Sequence, residues 1–124
     1  MRHTFHKAER IKSRKTIEKL FSGGNRLVEY PVMLVYATAP RPGAYRLQAT
    51  FSVSKKKFKK AVIRNRIKRL MREAFRLHKS RYQTRYENTG ETTALMFIYI
   101  GKEIPGYREV EEAVARLLKK LSGT

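Results

Sequence analysis

The chain has no cysteine and no aspartate. Without cysteine it can form no disulfide and offers no thiolate for catalysis or metal binding. Without aspartate, its 10 acids are all glutamates, set against 29 lysines and arginines for a net charge of +19. Nucleases that cut with two protein-bound metal ions gather several carboxylates. Here Glu87 and Glu91 fall in a polar loop, while Glu109, Glu111 and Glu112 share one helical turn. No catalytic or metal constellation emerges. The histidines do not supply one. His3 and His6 fall in an N-terminal stretch, residues 1–8, that reads as loose, and His78 reads as a cation near a helix end. Long apolar runs are missing too. The longest, Ala94–Gly101, is far short of the roughly 20 residues that span a bilayer. Residues 1–20 are basic but lack the apolar core of a secretory signal. The expectation is a cytoplasmic protein that does not enter a membrane.

What the chain does have is positive charge. Its 124 residues suit a single domain with a modest core. A compact domain with that excess repels itself, so a polyanion is the expected partner, nucleic acid before an anionic membrane surface. Repeats, linkers and low-complexity segments are not evident.

Periodicity outlines the elements. Glu9–Phe21 carries a partial apolar stripe and reads as a helix ended by Gly23–Gly24. A short strand is expected over Arg26–Val28, and a second over the β-branched and aromatic Val32–Thr38. Tyr45–Val53 alternates, with Tyr45, Leu47, Ala49, Phe51 and Val53 on one face and polar residues on the other. A basic helix follows from about Lys59 to Leu77. The polar segment Lys79–Thr93 reads as a loop, Ala94–Gly101 as a strand, and Tyr107–Leu121 as a last helix that covers the sheet. The order is α-β-β-β-α-β-α, an α+β or α/β sandwich.

The basic helix carries the functional signal. At 100° per residue, Ile63, Ile67, Leu70, Met71, Ala74 and Leu77 share one arc, which belongs against the sheet. Ala61, Asn65, Lys68, Arg69, Arg72 and Arg76 fall opposite, with Arg64 and Arg66 at the borders. From Lys55 to Arg81 there are 13 basic residues and one acid, Glu73. An ordinary solvated face would interleave glutamates at i,i+4 spacing. Arginine forks grip phosphate and stack on bases, Asn65 can bond a base edge or a sugar hydroxyl, and Ala61 would admit a backbone closely. The run begins before the helix, in "SKKKFKK" with Lys59 and Lys60, at the end that attracts phosphate.

The string Phe58-x-x-Ala61-x-x-Arg64-Asn65-Arg66-Ile67-Lys68-Arg69-x-Met71-Arg72 resembles the "RNR" signature of the bacterial ribonuclease P protein family. "FSVSKK" before it and "REAFR" after it also match. So does "RIKSRKTIEKLF" in the N-terminal helix; the last third matches only in pattern. The resemblance implies a single RNA-binding domain over residues 1–124, the protein subunit of the ribonuclease P ribonucleoprotein. Its fold would be a two-layer sandwich with about four strands in a mixed sheet and three helices. The strand–helix–strand crossover would be left-handed, as in domain 2 of ribosomal protein S5. The resemblance also implies a catalytic RNA partner that removes the 5′ leader of precursor tRNA, with the chemistry carried by RNA and Mg2+. The protein would be an accessory subunit, inactive as a nuclease alone and without a stable protein partner.

Mapped by this resemblance, the RNA-facing residues are Lys55, Lys56, Ala61, Arg64, Asn65, Arg66, Lys68, Arg69 and Arg72. Charge adds Lys59, Lys60 and Arg76. The leader cleft would use Phe21 and Tyr36, with Lys15 and Lys19 nearby. Ile17 stands where the family often has a second aromatic, so this platform would be built differently. The competing reading, a ribosomal or ribosome-associated RNA-binding protein, shares the charge but has no reason to carry the signature.

Overall fold

The computed structural model describes residues 23–40, 47–79 and 91–123. Four strands form one sheet: β1 Asn25–Glu29, β2 Val32–Pro40, β3 Leu47–Val53 and β4 Glu91–Tyr99. Two helices accompany them, α1 Ala61–His78 and α2 Tyr107–Gly123. The helix expected over Glu9–Phe21 lies outside the described residues. The strand order is β1-β2-β4-β3. β1 pairs β2 antiparallel, β2 pairs β4 antiparallel, and β3 pairs β4 in parallel. The sheet is therefore mixed, and α1 is the connection between the two parallel neighbours.

β4 begins at Glu91, inside the segment read from sequence as a loop. Its first residues are polar, but pairing decides the matter. Thr93 lies opposite Thr38 on one side and Leu47 on the other, and Glu91 opposite Pro40. Glu91 and Thr92 pair with β2 alone, and from Thr93 onward the strand has neighbours on both edges. Such pairing satisfies the backbone whatever the side chains, and threonine suits the pleat. The strand also ends at Tyr99, earlier than expected. The next N–H, of Ile100, donates instead to the Pro31 carbonyl at 2.8 Å.

Both helices pack on one face of the sheet. Val32, Leu34, Leu95, Phe97, Ile67, Met71, Phe75, Val114, Leu117 and Leu118 are among its fully buried members. Three rings centre this core. Phe51 stacks on Phe97 at 5.6 Å between centroids, and Phe75 meets Phe97 at 5.6 Å and Phe51 at 6.1 Å.

One helical position corrects the sequence reading. Helical spacing puts Leu77 on the buried arc of α1, but it is exposed, and Phe75 is buried instead. Ile67, Met71, Ala74 and Phe75 centre the arc roughly 100° away from Leu77 at 100° per residue. The rings on β3 and β4 pull the arc towards Phe75.

The other face of the sheet also differs from expectation. The alternation in the sequence predicts a partly polar face, and Thr50 and Ser52 on β3 fit that. On the central strands, however, Val35, Ala94 and Met96 form a second buried cluster, with Met33, Ala37 and Ile98 packed against it. Central strands that read as nearly continuous apolar runs are those buried on both faces. Neither described helix contributes to this cluster.

Gly101 holds one end of the sheet tight. A Cβ there would meet the Tyr99 hydroxyl, lie 2.6 Å from Tyr99 Cζ and 3.0 Å from Pro31 Cβ. The Tyr99 hydroxyl is itself fixed, donating to the Glu103 carbonyl at 2.6 Å. Burial, then Glu109 and other nearby groups, pushes its phenol up to about 12. Gly101→Ala should therefore lower stability by about 1–3 kcal/mol through overpacking, measured by urea titration. A change under ~0.5 kcal/mol would show that the end of β4 yields easily.

Candidate nucleic-acid interface

The basic face rests on a turn pinned at both ends. Ser54 starts it: its carbonyl accepts from Phe58 N–H at 3.1 Å and its hydroxyl from Lys56 N–H at 3.2 Å. Phe58 closes it, buried against the Tyr99 ring at 5.8 Å between centroids. Lys55, Lys56 and Lys57 between them are exposed. Lys57 is tied back, its ammonium donating to the Ile100 carbonyl at 2.9 Å. Lys55 and Lys56 point their charge outward without a described partner.

The helix then starts in a form suited to anions. Lys60 is its N-cap and makes no side-chain cap, and no acid lies in the first turn. Such an N-terminus keeps its partial positive charge for an outside ligand. Ala61, Asn65, Arg66, Arg69 and Arg72 are exposed, and Lys68 is half-buried. Lys59 and Lys60, just before the helix, are also exposed.

Three of the arginines are held by the protein itself. Arg64 turns inward, and one guanidinium nitrogen donates to the Phe58 carbonyl at 2.8 Å and the Lys59 carbonyl at 2.7 Å. It sits roughly 35° from the centre of the buried arc, closer than its expected border position, and so locks the lysine turn onto the helix. Arg72 places its guanidinium over the Phe51 ring, 6.0 Å from the centroid. A planar cation on a ring is fixed in orientation while its outer edge stays in water. Arg76 pairs with Glu73 one turn earlier, through Nε at 3.2 Å and a second, shorter bond. That bond is the main reason the Glu73 carboxyl lies below its ordinary value. Of the predicted cations, Arg76 thus carries a locally neutralised charge.

Sequence reasoning missed Val62. It is 79% exposed in the first turn of α1, seven residues before Arg69 and on the same side. The helical angle alone would have placed it on the cationic face. An exposed aliphatic group there gives apolar contact among the charges. The far end of the helix is docked on α2, where His78 Nε2 lies 3.3 Å from Glu111 Oε1.

The predicted leader cleft is only partly within view. Phe21, Ile17, Lys15 and Lys19 lie outside the described residues. Tyr36 is half-buried on β2, on the same face as the helices, and packs against the main core. It sits opposite Leu95 and Asn25.

Among the described residues no group of three or more histidines or carboxylates is placed to hold a metal. Glu29, Glu73, Glu111 and Glu112 each face a cation or histidine of the protein, namely Lys120, Arg76, His78 and the pair Arg108 and Arg116. Paired in this way, these carboxylates do not fit a protein-held Mg2+. No described helix is long and apolar enough to cross a membrane.

The chain is similar to known proteins in sequence and in fold. The family model "Ribonuclease P" matches residues 5–122. The ribonuclease P protein component of Porphyromonas gingivalis is 35% identical over 117 residues, covering 94% of this chain and 85% of that protein. The one from Chlorobium phaeobacteroides is 31% identical over 129 residues, covering 96% and 88%. Among solved structures, the ribonuclease P protein of Thermotoga maritima superposes with a TM-score of 0.72, covering 93% of this chain and 99% of that one at 24% identity. That of Staphylococcus aureus gives 0.71, with 93% and 96% covered at 24% identity. The structural likeness speaks for the fold; the sequence matches, spanning the lysine turn, the basic helix and the sheet beneath it, show that this chain belongs to the ribonuclease P protein family.

Proposed function

We propose that the chain is the protein subunit of a ribonuclease P ribonucleoprotein. It binds the catalytic RNA through the lysine turn and the exposed face of α1, and it assists removal of the 5′ leader from precursor tRNA. The observation that carries this reading is the cationic face itself. The chain bears it on a helix whose start is fixed by Arg64 and Phe58 and whose end is docked by Phe75 and His78. A preset array of forks meets phosphates without a large ordering cost. Lys55, Lys56, Lys59, Lys60, Arg66, Lys68, Arg69 and Arg72 supply phosphate contacts. Asn65 bonds a base edge or sugar hydroxyl, and Ala61 leaves room for the backbone.

The finer architecture goes with the proposal: a third helix at the N-terminus, a left-handed crossover through α1, and a fold like domain 2 of ribosomal protein S5. Such a crossover runs against the ~98% preference for right-handed connections. The leader strand would lie in a cleft formed by the N-terminal helix, with Phe21, Ile17, Lys15 and Lys19, and the sheet at Tyr36. Mg2+ belongs to the RNA, whose phosphates hold it and whose active site performs the hydrolysis. The work is cytoplasmic, where precursor tRNA is made.

Reconstitution tests the proposal. The protein alone should leave precursor tRNA intact. Added to a bacterial ribonuclease P RNA at a magnesium concentration too low for the RNA to act well alone, it should restore cleavage to a mature 5′ phosphate end. Unchanged RNA-alone rates at saturating protein would refute the proposal, and so would site-specific cleavage by RNA-free protein.

A further inference from the structure

The basic face does not stop at the start of α1. Val32 on β2 and Val53 on β3 both lie opposite Tyr99 of β4, and Glu29 of β1 lies opposite Val32. Three connections therefore leave the same end of the sheet: the Tyr30–Pro31 turn, the loop after Tyr99, and the lysine turn. They are joined side by side. Pro31 accepts from Ile100 N–H at 2.8 Å, and the Ile100 carbonyl accepts from Lys57 at 2.9 Å. From β1 to β3 this edge spans about 14 Å, three strand spacings.

Its surface is unusual in chemistry. Tyr30 is 64% exposed at one side, and Ile104 is half-exposed in the middle loop. Lys102 and the three turn lysines are exposed along it, against one exposed glutamate of the loop, Glu103. Glu29, beside Tyr30, is paired with Lys120. A lone exposed aromatic needs no explanation. An exposed ring at the end of a lysine row that continues into a cationic helix is the combination that binds unpaired nucleic acid, cations on phosphates and a ring under a base.

We propose that an unpaired RNA segment crosses this end of the sheet, with one base stacked on Tyr30 and its phosphates on Lys102 and the turn lysines. The inference rests on the RNA-binding reading above and extends it to a surface outside the signature helix and the leader cleft. The chain has no tryptophan, so Tyr30→Trp gives it a single reporter.

Titrated with a bacterial ribonuclease P RNA, the Tyr30→Trp emission should be quenched as binding saturates. Tyr30→Ala should weaken binding about five- to a hundredfold, the loss of one base stack, with the salt dependence and melting temperature unchanged. Tyr30→Phe should stay within about twofold of the parent. Lys102→Ala should flatten the log–log salt slope by about 0.7–0.9. Unchanged emission at saturation, or Tyr30→Ala binding within about twofold, would overturn the inference while leaving the basic helix in place. A loss accompanied by a lower melting temperature would assign Tyr30 to folding. Self-association abolished by Tyr30→Ala would assign the corner to a protein interface. Either overturns the inference. If the parent protein shows no salt-dependent RNA binding, the functional reading falls and takes this inference with it.

Discussion

Raising monovalent salt from about 50 to about 200 mM should weaken binding of a ribonuclease P RNA by roughly 10²–10⁴-fold. The exposed cations of the turn and α1 would neutralise about five to eight phosphates. Each contributes ~0.7–0.9 to the log–log slope, for a slope near −4 to −7. Single substitutions should then divide by geometry. Arg69→Ala and Arg72→Ala should each flatten the slope by about one contact. Arg76→Ala should flatten it less, because Glu73 already holds that guanidinium. Arg64→Ala should act mainly through the turn, since its guanidinium serves the Phe58 and Lys59 carbonyls. Filter binding or anisotropy across a salt series reads all four. A slope near zero would mean that the cations only meet water.

Phe75→Ala should lower folding stability by about 3–5 kcal/mol, the usual range for a buried aromatic truncated in place. The ring is fully buried between Phe51 and Phe97. For a domain of this size the melting point should fall by on the order of 10–20 °C. Leu77→Ala, two residues on but facing water, should cost less than about 1 kcal/mol. Thermal melts of the two variants decide between the two helical arcs. If Leu77→Ala were the costly change, the arc read from the sequence would stand.

The slip between Phe75 and Leu77 shows where a sequence stops speaking. The repeat of Ile63, Ile67, Leu70 and Met71 fixes a helix and roughly half its surface. It does not fix which border residue finds a partner, because that depends on the rings beneath. The same holds for β4. Its apolar centre is plain in "ALMFIY", whereas its polar start at Glu91–Thr93 is a strand because β2 pairs all of it and β3 joins at Thr93. Strand order is likewise set by what packs where and not by periodicity. The site was more legible. A row of cations with one acid shows in composition alone, and the spacing of Arg64 to Arg72 carries the family. What the letters could not say is that Arg64 faces the turn, that Arg72 lies on Phe51, and that the Tyr30–Pro31 turn and the lysine turn leave the same end of the sheet.

β4 is the last strand in the chain and sits between β2 and β3 in the sheet. Until residues 91–99 are in place, β2 and β3 have no shared neighbour, and the apolar side of α1 has only part of its floor. Contacts between segments so far apart in sequence form late and slowly. On the ribosome, a nascent chain ending at His78 would already display the lysine turn and the arginines without the sheet that orders them. Such a fragment would hold polyanions by charge alone, with its apolar stripe uncovered. Selective recognition would therefore begin only once β4 has emerged from the exit tunnel and inserted, so the order of synthesis separates sticking to RNA from recognising it.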